Sequence, residues 1–241
     1  MNRRSALALL LCCPLGAYAG ITDWLQDQLR RNGGGTTMLD PATAAAGLKQ
    51  ALENGTQQAV TLLGRQDGYF GNPRVKIPLP EQLARMDKTL RKFGQGKVAD
   101  EFILSLNRAA EAAAPEAKAI FLNVIREMTV TDAIGIVRGP DNAATGYFRE
   151  HSEGALKEKF HPIVAAATDK VGVTQRYKRL LRDGGTVARF VDVRRLDIDD
   201  YVTRKALDGL FLMVADEEQR IRHDPLARST ELLRKVFGSQ K

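Results

Sequence analysis

Asp40-Pro-Ala-Thr-Ala-Ala-Ala-Gly-Leu-Lys-Gln-Ala-Leu-Glu-Asn-Gly-Thr-Gln-Gln-Ala-Val-Thr-Leu-Leu-Gly64 carries every local signal of an amphipathic helix. Asp40 offers a side-chain acceptor to the first-turn amides, and Pro41 occupies a position whose N–H has no helical partner in any case. Ala44, Leu48, Leu52, Ala59, Leu62 and Leu63 follow at spacings that place them on one face. Glycine closes the run.

The same punctuation continues down the chain. Helices are predicted at about 80–93, 97–113, 116–127, 130–137, 141–150, 152–170, 173–182 and 198–222, with a last one opened by Asp224-Pro225 and ending near Gly238. Gly94, Gly96, Gly139, Gly172, Gly184 and Gly185 separate them, and Pro115 and Pro140 help restart them. Thr129-x-x-Asp132 has the spacing of a capping box, and Asp141 is read as the cap of the helix after it. Two stretches interrupt the helical pattern. In the turn-rich interval Gly64–Pro80, Arg74-Val-Lys-Ile77 alternates as a very short strand would, and Ala188–Val193 is a second candidate strand. The most apolar segment, Ala206–Ala215, is ten residues long and therefore a core helix, because a span needs about 20. The expectation is an all-α single domain over 40–241, preceded by a segment over 20–39 that contains the glycine-rich linker Asn32–Thr37.

Composition agrees with a folded globular chain. Of 241 residues, 44% are hydrophobic and 27% charged, which excludes wholesale disorder. The first nineteen read as an export signal: Arg3 and Arg4, an apolar run Ala6–Cys13, then Ala17-Tyr18-Ala19 as a small-x-small cleavage site. Leu-Leu-Leu before Cys12 and Cys13 lacks the small residues of a lipid-attachment box, so a soluble periplasmic form starting at Gly20 is expected. Cleavage removes two arginines and no acid, which takes the formal charge from +7 to +5. Both cysteines leave with the signal, and with them any disulfide or thiolate chemistry. No block of five consecutive basic residues suggests nucleic acid, and no transmembrane segment is expected in the mature chain.

Several stretches together identify a resemblance. They include Asp67-Gly-Tyr-Phe70, Val75-Lys-Ile-Pro-Leu-Pro80, Ser105-Leu-Asn-Arg-Ala-Ala-Glu111 and Met128-Thr-Val-Thr-Asp-Ala133. Ala143-Ala-Thr-Gly-Tyr-Phe148, Tyr201–Phe211, Glu217-Glu218 through Arg222 and Val236-Phe-Gly238 complete the set. In this order the chain resembles the bacterial exported family known as domain of unknown function 4197. The resemblance implies a mostly helical envelope protein and brings no activity or ligand with it.

Chemistry has to be sought in the side chains themselves. Asn107 and Glu111 lie one turn apart on the 97–113 helix with Arg108 flanking them. An amide offers donor and acceptor, and a guanidinium offers a fork for carboxylate or phosphate. The trio is therefore the leading ligand-binding candidate, against a buried network that only ties helices together. Glu218 and Arg222 form an i,i+4 pair with Glu217 beside it, read first as a salt-bridged helix end. Tyr147 joins the candidates as a ring that packs and a hydroxyl that could face a cavity. Asp67–Pro73 lacks the alternating oxygen ligands of a calcium loop and is read as turn chemistry. Nucleophile-elbow, phosphate-loop and dinucleotide motifs are absent, and no catalytic residue, metal or cofactor is expected. The expected function is binding an unknown small molecule or envelope component in a polar pocket between helices 97–113 and 198–222. A carboxylate-based hydrolase acting on envelope material and a purely structural envelope factor are the alternatives.

Overall fold

Asp40 caps as its position predicts: its carboxylate accepts from the Thr43 amide at 3.2 Å, and helix α1 runs from Pro41 to Gly64. In the computed structural model, which describes residues 40–92, 96–170 and 197–223, the buried face of α1 includes Ala45, Leu48, Ala51, Leu52, Ala59 and Leu63. The core thus lies close to the predicted apolar stripe, with Ala44 and Leu62 at its half-buried margins. The other elements are α2 (Glu81–Lys92), α3 (Gly96–Ala113), a 3-10 turn (Ala114–Glu116), α4 (Ala117–Glu127), α5 (Val130–Arg138), α6 (Ala143–Lys170) and α7 (Ile198–His223). There is no strand among the described residues, and the fold is all-α.

α6 and α7 pack side by side, α3 lies on α6, and α1 lies on α7 while also contacting α4 and α5. Aromatic rings mark the centre. Phe121 of α4 meets Phe148 of α6 edge-on with centroids 5.1 Å apart, and Phe211 of α7 at 6.2 Å. All three rings are buried, and each contributes a large apolar area where the helices converge. Peripheral α2 packs on α3. No helix among the described residues is long and apolar enough to cross a membrane.

Three local expectations need correction. Helices predicted at 141–150 and 152–170 are the single helix α6. Ser152 lies inside it and turns its hydroxyl inward to donate to the Phe148 carbonyl at 2.5 Å as the backbone runs on. Asp141 does not cap α6 by its own carboxylate, which accepts from His223 Nε2 at 2.8 Å; the first amides of the helix are taken by Glu218 of α7. Arg74–Ile77 alternates between exposed and buried as predicted but pairs with no strand. Thr129 and Asp132 do form the reciprocal capping box at the start of α5. The predicted leader, the 20–39 segment with its glycine linker, the 173–182 helix, the 188–193 strand and the helix after Asp224 lie outside the described residues.

Between α1 and α2, residues 65–80 form a strap without helix or strand, folded down against α3 and α7. Gly68 permits its first turn, since a Cβ there would sit 2.4 Å from the Leu63 carbonyl oxygen. Gly209 on α7 permits its close approach, since a Cβ there would meet the Tyr69 ring at 2.8 Å and Val75 Cβ at 3.1 Å. Gly135, Gly146 and Gly154 are also helical, and a Cβ on any of them meets nothing within 4 Å.

These contrasts predict opposite signs for one substitution. Gly209→Ala should destabilise the protein by about 1–3 kcal/mol through overpacking against the strap. Gly146→Ala or Gly154→Ala should add about 0.5–1 kcal/mol by removing a helical glycine. Urea unfolding midpoints of the variants check both; Gly209→Ala stabilising as much as Gly146→Ala would show that the strap does not press on α7.

Candidate functional site

Asn107 sits on the inward face of α3, fully buried. Its side-chain oxygen accepts from the Ile77 amide at 2.8 Å, and its NH2 donates to the Ile77 carbonyl at 2.9 Å and to the Ile103 carbonyl at 2.8 Å. One amide thus pairs with both backbone groups of a strap residue, as a neighbouring strand would. That explains why the alternating segment is extended and yet belongs to no sheet.

One turn on, Glu111 is buried with its carboxylate toward the other end of the strap. One oxygen accepts from the Tyr69 and Phe70 amides, each at 3.1 Å. The other accepts from Arg108 at 2.5 Å, and Arg108 in turn donates to Asp67 at 2.7 Å. The bond to Glu111, and then that to Asp67, raises the Arg108 pKa above its ordinary value. Tyr69 is fully buried and donates to the Ala206 carbonyl of α7 at 2.7 Å. Burial, with the Glu111 charge adding to it, pushes its phenol well above the ordinary range. Tyr201 donates to the Pro78 carbonyl at 3.0 Å, and Arg74 forks onto Asp216 of α7.

The outer side of the strap has a different character. Phe70 is half-buried, with the Lys76 ammonium 4.0 Å and the Arg108 guanidinium 5.9 Å from its ring centroid. The hydrogen bond from Arg91, and to a smaller extent the Lys76 charge, holds the Asp100 carboxyl below its ordinary range. Arg65, Arg74 and Lys76 are all exposed.

Glu218 and Arg222 occupy another place, the junction of α5 and α6. Glu218 accepts from the Ala144 and Thr145 amides at 2.9 and 2.8 Å and from the Thr145 hydroxyl at 2.8 Å. It therefore caps the N-terminus of α6, where a negative charge is favoured. Arg222 pairs with Glu218 at 3.0 Å and donates to the Ile136 carbonyl at 2.8 Å, at the C-terminus of α5 where a positive charge is favoured. The two side chains are 4% and 6% exposed, so the pair is a buried bridge rather than the ordinary surface pair its spacing suggests. Beside it is a small apolar crevice lined by Leu48, Leu52, Ala144 and Ile221. Glu217 bonds Arg220 instead, which also reaches Gln58 of α1. Tyr147 stands apart from both clusters. Its ring stacks on His151 with centroids 4.1 Å apart, its hydroxyl lies 3.5 Å from Asp132, and partial burial, then Asp132, raises its pKa.

The structure thus gathers Asn107, Arg108 and Glu111 around the strap, Glu218 and Arg222 at the α5–α6 junction, and Tyr147 beside Asp132. Sequence reasoning passed over Lys76 and treated Tyr69 and Phe70 only as parts of a loop. The aromatic pair in Asp67-Gly-Tyr-Phe70 was the available signal. Among the described residues, no group of three or more His, Cys, Asp or Glu side chains has the arrangement of a metal site. A family model described as "Protein of unknown function (DUF4197)" matches residues 38–238. No curated protein and no solved structure matches the chain.

Two substitutions measure the two clusters. Asn107→Ala leaves the Ile77 amide and carbonyl without their partner and should cost about 1–3 kcal/mol for each group orphaned. Arg222→Ala leaves Glu218 charged and buried without a counter-ion and should cost about 3–5 kcal/mol. Denaturant midpoints unchanged from the parent protein would contradict the bonding pattern.

Proposed function

The chain belongs to the DUF4197 family of proteins of unknown function, and from that starting point we propose that it is an exported, soluble protein of the Gram-negative periplasm that acts by binding. The outer face of the strap is its recognition surface, and the partner is an anionic molecule or envelope component. The observation that carries this reading is the anchorage of residues 65–80. Sixteen residues without helix or strand are bonded through Asn107, Glu111 and Tyr201 and through the Tyr69 hydroxyl. Loops of this length inside a compact domain are either disordered or functional, and one tied at so many points belongs with the second kind.

Arg108 is where the sequence placed an anion reader, and its guanidinium does lie at the edge of the strap. Asn107 and Glu111 instead support the surface from beneath, which moves binding outward from the expected interhelical pocket. Exposed Lys76 over half-buried Phe70, with the Arg108 guanidinium near the same ring, supplies positive charge and an apolar contact together. Such a combination favours a partner with a carboxylate or phosphate. Nothing favours the hydrolase alternative at these carboxylates. Glu111 and Glu218 each accept from two backbone amides and an arginine, whereas an acid–base residue needs an oxygen turned toward a substrate. Arg3, Arg4, Ala6–Cys13 and Ala17–Ala19 support export.

One experiment tests export and binding together. The chain is expressed with its own leader in a Gram-negative host, and the periplasmic fraction is analysed by native mass spectrometry. The expected product begins at Gly20 and retains a bound molecule, and this mass is lost in Phe70→Ala/Lys76→Ala although the variant stays folded. An intact Met1 or an acylated Cys12 or Cys13 would overturn soluble export. A parent protein with no adduct, or an adduct unaffected by the double substitution, would overturn the assignment of the strap.

A further inference from the structure

Asp67 carries the structure's one positive φ at a described non-glycine residue, 63°. Glycine suits this left-handed conformation best, and asparagine and aspartate tolerate it alike. A carboxylate adds something that backbone geometry does not ask for, and here it adds the 2.7 Å bond to Arg108. That bond contributes little to stability, because the Asp67 and Arg108 side chains are 52% and 34% exposed and water competes for both. The inner edge of the same guanidinium is fixed independently by Glu111, whose side chain is only 5% exposed. Arg108 is therefore held in place whether or not Asp67 is bound to it.

Lys76 stands over the ring that Arg108 approaches. Its ammonium lies over Phe70 without a carboxylate in ion-pair distance among the described residues, and Phe70 is the ring that Arg108 also approaches. An oriented guanidinium edge and an ammonium without an ion-pair partner among the described residues thus both lie near one aromatic ring. Among the described residues, the acidic group bonded to that outer edge is Asp67, held on a left-handed backbone.

We propose that the outer edge of Arg108, with Lys76 and Phe70, is a binding site for a carboxylate, and that Asp67 occupies it as an internal stand-in which the ligand displaces. This inference rests on the reading of the strap's outer face as the recognition surface, and names its ligand class and its gate. The incoming carboxylate accepts from the Arg108 N–H group that Asp67 vacates and gains the Lys76 charge. Asp67 turns to water, and Glu111 keeps both its bond to Arg108 and its two strap amides. A tethered group competes at an effective concentration in the millimolar range, so free carboxylates bind weakly until the tether is removed.

The test removes the stand-in and keeps the fold. Asp67→Asn preserves tolerance of the left-handed backbone without the charge, and Asp67→Gly provides a second variant with no steric demand there. The probe is N-acetyl-aspartate methylamide, which presents the carboxylate that Asp67 itself supplies, titrated while the Phe70 ring and Arg108 side-chain resonances are followed by NMR. Both variants should bind it at least about tenfold more tightly than the parent protein, as expected for loss of a tethered competitor. Adding Lys76→Ala to Asp67→Asn should cancel most of the gain. Affinity unchanged by removing Asp67, or unaffected by Lys76, overturns the proposal. Inorganic phosphate binding as tightly as the carboxylate probe overturns the ligand class. If the periplasmic adduct is lost from Phe70→Ala/Lys76→Ala while Asp67→Asn gains no affinity, the stand-in falls and the recognition surface stands.

Discussion

A buried carboxylate and a buried carboxamide, one turn apart on a helix, hold down backbone that has no other partner. Strap residues 69, 70 and 77 bring N–H and C=O groups into the protein without a ladder to satisfy them. A backbone group left bare in such a place costs as much as several good apolar contacts return. Glu111 and Asn107 remove that cost at the two ends of the segment. Val75, Ile77 and Tyr69 can then bury their side chains against the bundle, and Gly209 gives them the room to do so. Without the two polar side chains, the apolar residues of the strap would have to drag unsatisfied amides inward with them.

The same logic recurs at the junction of α5 and α6. A helix that ends inside a protein exposes carbonyls, and one that begins there exposes amides. Arg222 meets the carbonyls of α5 and Glu218 the amides of α6, and each neutralises the other, so α7 fastens two helix ends with one ion pair. Charge, dipole and hydrogen bonding agree in sign at every contact of this bridge. Glu111 and the Glu218–Arg222 pair are thus both spent on backbone groups, whereas buried Glu217 pairs with the Arg220 side chain.

How much of this the sequence discloses follows from the reach of each interaction. Asp40-Pro41 and Thr129-x-x-Asp132 act over three or four residues, and both caps form as read. The apolar stripe of α1 and the all-α class follow from periodicity in the same local way. The division of α6 into 141–150 and 152–170 fails because buried Ser152 bonds back to its own helix, and its burial is not a local signal. Glu218 displaced Asp141 as the partner of the α6 amides from 74 and 73 residues away, beyond any local pattern. For Asn107 and Glu111 the residue types announced specific polar contacts, but their partners are backbone groups 30 and 42 residues away, which any amino acid would supply. Spacing on a helix shows which side chains share a face, and not what that face meets.

The strap is either part of the cooperative core or a loop lying on it. Native-state hydrogen exchange at the Tyr69, Phe70 and Ile77 amides distinguishes the two, because local openings expose amides at free energies far below that of global unfolding. If Glu111 and Asn107 hold the strap as described, these three amides exchange as slowly as those of Leu210 and Phe211 in α7, and lose protection with the same denaturant dependence. Exchange of the three strap amides by a low-energy local opening, orders of magnitude faster than α7, would contradict it.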